Sequence, residues 1–313
     1  MIIKQIDSKQ EDLEILQQLR QRPDLSPQTQ RKIEQRIRLL CAGIKGEEES
    51  AYLMQFHFGN HPDWVIINDL RLQFQNKVAQ IDHLLINRHL QIFVCESKRI
   101  AGELIINEFG EFSRRYNNGQ GQGMPSPLEQ NKRHISILKQ LLQKKRIQCP
   151  SLCGLYFKPL IYSLILISND SSIRRPKKTI SGLDNIIKNE QLQEKVKQLS
   201  KPLGIFSIIR TVSRSRLEEF AHQLVKLHHP QKHDWLACFG LNKINNHSAN
   251  IATSPQPQTE TLTPVKKFVS YFCVACRKNI SPDAANYCWN HKNIFGGKAY
   301  CYQCQQIIRQ KQQ

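Results

Sequence analysis

The chain reads as a mixed α/β fold: a central sheet flanked by helices, with a helical hairpin in front and a small cysteine-rich module behind. Three observations carry that expectation. Apolar runs of strand length alternate with segments whose leucines and isoleucines recur every three or four residues. A polar, proline-containing stretch at 242–266 then breaks the pattern and reads as a disordered linker. Beyond it, five of the ten cysteines fall between Cys273 and Cys304. A length of 313 residues allows one sizeable core plus a small module.

The elements follow in order. Leu13, Leu16 and Leu19, then Ile33, Ile37 and Leu40, predict two helices within 8–44, parted by the Pro23 and Pro27 segment. A further helix is expected to open at Gly46, its Glu47, Glu48 and Glu49 suiting the positive end of the helix dipole. Strands are expected at 64–67, 70–74, 78–86 and 90–96, with a tight turn at 87–89. A hairpin should span 103–116 and a flexible glycine-rich loop 117–123. Ser126 as N-cap and Pro127 at the first helical position start a helix running to about Lys145. Strands at 152–157, 161–167 and near 205–209, and helices at 184–199 and 213–228, complete the domain. The expected organisation is a helical segment at 1–44, the α/β domain at 45–240, a linker at 241–267 and the cysteine module at 268–308.

Lys and Arg number 45 against 26 Asp and Glu, a net charge of +19. That excess favours a polyanionic partner, nucleic acid being the simplest. A membrane surface is the rival. The chain has neither a basic amphipathic helix with a strong apolar face nor an apolar run of about 18 residues, so no membrane partner is expected. The N-terminus lacks a signal-peptide core, which makes the cytoplasm the default location. Protein partners are not legible.

Two apolar strands carry charge where packing residues belong. Asp82 lies in Gln80-Ile81-Asp82-His83-Leu84, and Glu96 and Lys98 close Ile92-Phe93-Val94-Cys95-Glu96-Ser97-Lys98. Residues i and i+2 of a strand share a face. Two carboxylates can hold a hard divalent cation through oxygen, and a lysine beside them can position a water or stabilise a phosphate. The plain alternative is that Asp82 caps a turn and Glu96 with Lys98 forms a surface pair. His83 should face the other side of the strand and is read as a buried, hydrogen-bonded histidine rather than a ligand. Arg114 and Arg115 would meet phosphate or lie solvated. His222, His228, His229 and His233 are read as an exposed basic helix end rather than a metal cluster.

The ordered set Gly46-Glu47, Gln80-Ile81-Asp82-His83, Glu96-Ser97-Lys98, Gly102, Ser126-Pro127 and Gln130 resembles the nuclease-related domain, NERD, of the PD-(D/E)xK nuclease-like group, across residues 46 to about 145. The resemblance implies a restriction-endonuclease-like sheet. It also implies that Asp82 and Glu96 ligate magnesium (or manganese), with the Ser97 carbonyl as a further ligand. Lys98 would orient the attacking water. Glu47 would add an acid, Glu48 replacing it if the helix phase shifts by one, and Gln130 would support the site. Helix-cap roles remain the alternatives for Glu47 and Gln130.

Cys273-Val274-Ala275-Cys276 and Cys301-Tyr302-Gln303-Cys304 form two Cys-x-x-Cys knuckles, the pairing that preorganises ligands for tetrahedral zinc. Few aliphatic residues lie between them, so the segment needs metal to hold a core. The four cysteines are the expected zinc ligands, with Cys288 as alternative and His291 third. The piece loosely resembles the zinc ribbons of DNA-processing proteins. Lys278, Lys292 and Lys298 interleave with Tyr287, Trp289, Phe295 and Tyr300, which suits single-stranded nucleic acid or a minimal aromatic core. The function expected is metal-dependent phosphodiester hydrolysis in DNA, the zinc module aiding binding. The alternatives are a non-catalytic nucleic-acid binder on a nuclease-like scaffold and a zinc-ribbon protein-interaction adaptor.

Overall fold

The structure is a computed structural model describing residues 1–116, 118–152, 155–156, 158–200, 211–241, 271–276, 279–280 and 282–310. The strand expected near 205–209, the linker at 242–266 and Lys278 lie outside the described residues. The chain divides into two compact units, Met1–Ile244 and Asn245–Gln313.

In chain order the first unit holds β1 (Ile2–Lys4), α1 (Gln10–Arg20), α2 (Pro27–Phe58), β2 (Trp64–Phe74), β3 (Lys77–Asn87), β4 (Gln91–Lys98), β5 (Glu103–Ile106), β6 (Phe112–Arg115) and β7 (Gly121–Met124). There follow α3 (Pro127–Gln143), β8 (Ser151–Leu152), β9 (Leu155–Tyr156), β10 (Leu160–Ile167), β11 (Ser172–Arg174), β12 (Ile186–Lys188), α4 (Leu192–Leu199), α5 (Arg214–Lys226) and the short α6 (Trp235–Cys238). The main sheet has the order β1-β2-β3-β4-β10-β12, and a smaller one the order β11-β5-β6-β7. In the main sheet β2, β3 and β4 run antiparallel in succession, while β10 lies parallel to β4 and β12 parallel to β10.

Both faces of the main sheet are covered, so its middle strands read as continuous apolar runs. From Gln91 to Glu96 every residue of β4 is buried. Val65, Ile67, Leu84 and Val94 face the core beneath α3 and α5, where Leu138 and Phe220 pack. Ile66, Leu85 and Phe93 face the opposite core, closed by Met54 of α2 and Val196 of α4. Asn131 of α3 fixes that helix across the seam between β4 and β10. Its Nδ2 donates to Val94 O at 2.8 Å, to Leu164 O at 3.3 Å and to Ser163 Oγ at 2.9 Å.

Five elements differ from the sequence reading. In place of the strand expected at 152–157, β8 pairs antiparallel with β9. The helix expected to open at Gly46 is the middle of α2, which begins under the Ser26 cap and runs 32 residues through the expected boundary at 44/45. Gly46 serves close approach instead: a Cβ there would lie 3.1 Å from the Arg99 Cβ. The strands expected at 64–67 and 70–74 are one strand, kinked where Asp69 takes φ +52°. The loop expected at 117–123 contributes β7, paired to β6. Ile186 and Ile187, expected in a helix, extend the sheet in β12 beside Ile165 and Leu166. Edge pairing of two β-branched residues outweighs the local helical pattern there.

No helix among the described residues is long and apolar enough to cross a membrane. The second unit contains β13 (Tyr271–Phe272), β14 (Asn279–Ile280), α7 (Pro282–Asn290), α8 (Lys292–Phe295) and α9 (Tyr302–Gln310). Its aromatic rings touch one another, with Phe295 buried 6.2 Å from Tyr287 and 6.1 Å from Tyr300. These rings give the module a core, while Tyr287 keeps an exposed edge.

Asn131→Ala should cost roughly 1–3 kcal/mol, because it removes a buried donor shared by two carbonyls and a hydroxyl. Urea denaturation followed by circular dichroism measures this, and an unchanged midpoint would show that the amide does not hold α3 in place.

Candidate active site and metal centre

β3 and β4 pair as far as His83 opposite Cys95. Just past that pair Asp82 accepts a hydrogen bond from the Ser97 N–H at 2.8 Å. His83, on the opposite face, is fully buried: Nδ1 lies 2.8 Å from Asn68 Oδ1 and Nε2 3.0 Å from Ser97 Oγ. Burial pulls its pKa down to about 3, so it is neutral. Ser97 Oγ in turn donates to Ser50 Oγ of α2 at 2.9 Å. This run of hydrogen bonds ties α2, β3 and β4 together behind the acids.

Glu96 is 1% exposed. Its Oε1 accepts from Lys98 Nζ at 2.5 Å and from Gln130 Nε2 at 2.6 Å. Its Oε2 faces His134 Nδ1 at 3.4 Å, close enough to interact electrostatically but not aligned as a hydrogen bond, so both buried atoms lack a hydrogen-bond partner. Glu47 enters from α2 and meets Lys9 Nζ at 2.7 Å, while Glu48 faces solvent. The structure therefore brings Glu47, Asp82, Glu96, Lys98 and Gln130 into one neighbourhood. Glu47 is roughly five turns into α2. The helix-dipole reading is thereby corrected, since the dipole acts only on the first turn.

The charges do not balance. Burial raises the Asp82 carboxyl well above its usual range, and Glu96 and Glu47 push it further. Burial also raises Glu47, and Lys9 offsets this only in part. For Glu96 the burial effect is outweighed by His134 and Lys98, which leave it below the ordinary carboxylate range. Lys98 resists burial through Glu96 and Asp82, and its ammonium is held more firmly than usual.

These residues lie in a segment that a family model matches. Residues 42–168 match the nuclease-related domain, NERD. The chain carries a NERD domain. No curated protein and no solved structure matches the chain closely enough to count as a relative. The NERD segment runs from within α2 to just past β10, so it contains all five residues above.

Two further residues join the site without a sequence signal. Lys9, at the start of α1, lies outside the NERD segment and reads in the sequence as one polar residue among many. His134 sits four residues after Gln130 on α3, one helical turn along the same face, and that spacing is the only hint the sequence offers. Arg114 and Arg115 are engaged on the smaller sheet, with Gln122 at 2.5 Å and with Glu103 at 3.7 Å respectively. The four histidines at 222–233 do not gather. His228 bonds the Arg71 N–H and Asp7, and His233 stacks on Trp235.

In the second unit the Sγ atoms of Cys273, Cys276, Cys301 and Cys304 all lie within 4.8 Å of one another. Cys276 and Cys301 are 3.6 Å apart. Tetrahedral zinc with Zn–S of about 2.3 Å requires S–S edges of roughly 3.8 Å, so this cluster can hold zinc. Cys288 points elsewhere: its Sγ accepts from Tyr300 N–H at 3.4 Å and from Gln305 Nε2 at 3.2 Å. His291 Nδ1 bonds the Tyr287 carbonyl at 2.8 Å. Neither is in the four-cysteine cluster.

Asp82→Asn should raise the melting temperature at neutral pH. A carboxylate whose folded pKa lies above its unfolded value of 3.8 destabilises the fold once ionised. The gain should therefore shrink as pH falls to 3.8, which calorimetry across pH tests. Cys304→Ser should abolish binding of one zinc per chain and Cys288→Ala should not. Metal analysis of the purified variants reads both, and equal loss in the two would return Cys288 to the ligand set.

Proposed function

We propose that the NERD domain is a divalent-metal-dependent phosphodiesterase acting on DNA. One observation carries the reading: buried Glu96, bracketed by Lys98 and Gln130, stands beside an Asp82 that takes its hydrogen bond from a backbone N–H. A cation there would meet two unfilled demands. Glu96 Oε2 is an unbonded buried oxygen, and Asp82 is short of positive charge. Asp82 and Glu96 would hold magnesium or manganese, which would lower the pKa of a water and offset phosphate charge. Lys98 would orient the attacking water. Gln130 keeps the Glu96 carboxylate fixed, and Glu47 adds negative charge from α2. On this reading residues 45–240 form the catalytic body and 268–308 a zinc module. The tethered module would raise nucleic-acid affinity through local concentration.

A second reading, a non-catalytic nucleic-acid binder, is favoured by one specific observation. Lys98 and Gln130 both bond the same Glu96 oxygen, which leaves the carboxylate partly occupied.

Labelled single- and double-stranded DNA, incubated with magnesium or manganese, should be cut by the native chain. Asp82→Ala should lower the rate at least a hundredfold, the order associated with losing a metal-held nucleophile. Salt-sensitive binding without cutting, unchanged in Asp82→Ala, would establish the non-catalytic reading instead.

A further inference from the structure

We propose that the cavity between the β2–β3 turn and the end of α3 binds the sugar-phosphate backbone of nucleic acid engaged at the acid site. This extends the reading of that site as a nucleic-acid site. The cavity has a volume of about 820 Å³ and is lined by Gln73, Phe74 and Gln75 on one side and Lys144, Lys145 and Arg146 on the other. No acidic side chain lines it. Among the described residues no acid pairs with any of its three cations.

The helix end itself is unusual. Lys145 N–H bonds Leu142 O at 3.2 Å and Arg146 N–H bonds Leu141 O at 3.1 Å, the two bonds of a Schellman ending. The residue at its left-handed corner is normally glycine, because a Cβ there is strained. Here it is Lys145 at φ +53°. Across the cavity Gln75 and Asn76 are left-handed too, at φ +47° and +61°, as the two central residues of the tight β2–β3 hairpin turn require. A single cation would satisfy the negative end of the helix dipole. Three in succession, one held in a strained conformation, point to an external anion. The amides of Gln73 and Gln75 add neutral donors and acceptors for sugar or base edges.

The spacing fits a polymer. Gln130 touches Glu96, and Lys144 lies fourteen residues further along α3, roughly 21 Å at 1.5 Å per residue. A duplex covers that distance in about six base pairs, at ~3.4 Å per pair along each strand. A short substrate at the acid site cannot reach the cavity, and a longer one can.

The test uses the full chain and fluorescence anisotropy, with calcium in place of magnesium or manganese so that the acids are screened while nucleic acid binds. The probes are a duplex of about 20 base pairs and a hairpin with a stem of about four. Lys144→Gln, Lys145→Gln and Arg146→Gln combined should weaken binding of the long duplex at least tenfold. The combined variant should also flatten the dependence of log affinity on log salt by about two to three, close to one for each phosphate that is no longer neutralised. The hairpin should bind native and variant alike. Lys145→Gly guards against misfolding: it should melt no lower than native, because glycine suits the left-handed corner, yet bind the long duplex about threefold more weakly. Native affinity and salt slope in the combined variant would overturn the proposal. So would a free mononucleotide competing as well as the duplex, since that describes a small-molecule pocket. Hydrolysis of bis(p-nitrophenyl) phosphate with manganese, a substrate too small to span the two places, reads the acid site separately. Its absence in the native chain would sink the phosphodiesterase reading and leave the binding result to decide this one.

Discussion

A carboxylate buried to 1% exposure at the end of a central strand is the constraint around which the domain is arranged. An ionised acid in such a place costs several kcal/mol unless it is paired and hydrogen-bonded. Lys98 and Gln130 supply that pairing on one oxygen of Glu96, and His134 stands against the other. Gln130 lies in the first turn of α3, where the helix dipole is positive, and His134 follows one turn further on the same face. Asn131, between them, pins the same helix to the carbonyls of β4 and β10. Thus the end of α3 nearest the site is anchored twice to the strand that carries the acid. The packing of Ile135 and Leu138 further along follows from where those anchors put the helix.

The same neighbourhood leaves a negative remainder. Glu47, Asp82 and Glu96 face two nearby ammonium groups, Lys9 on Glu47 and Lys98 on Glu96. The unmatched charge falls on Asp82, whose bonded donor is the Ser97 N–H. A structural ion-pair network would be expected to close on itself, because each uncompensated buried charge destabilises the fold. An open network of this kind is the pattern of a site whose last partner is supplied from outside.

What the sequence revealed depended on whether a signal was local. Asp82, Glu96 and Lys98 stand out because each interrupts an apolar strand, and the period of two places Glu96 and Lys98 on one face. Ser126 and Pro127 mark the start of α3, and Gln130 comes with it. The reach of α2 is not legible, because Gly46 followed by three glutamates looks like the start of a helix; only the close approach to Arg99 explains that glycine. Lys9 is invisible for a different reason: its partner Glu47 is 38 residues away, and nothing in either segment announces the pairing. Ile186 and Ile187 mislead because their environment, an edge position beside β10, is decided by the rest of the sheet. In the cysteine module the spacing identifies the four cluster members. The exclusion of Cys288 requires seeing its sulfur bonded to Tyr300 and Gln305.

The electrostatics of the whole chain and of the site pull in opposite directions, and that opposition is itself informative. A net charge of +19 gives the protein a field that gathers polyanions at long range. The acids beside Lys98 would repel a phosphate that arrived there unscreened. Glu47, Asp82 and Glu96 nonetheless all lie in the segment that the family model matches. The arrangement is coherent if a small cation stands between acid and phosphate. The cation reverses the local sign, so the long-range attraction and the short-range chemistry then act on the same ligand.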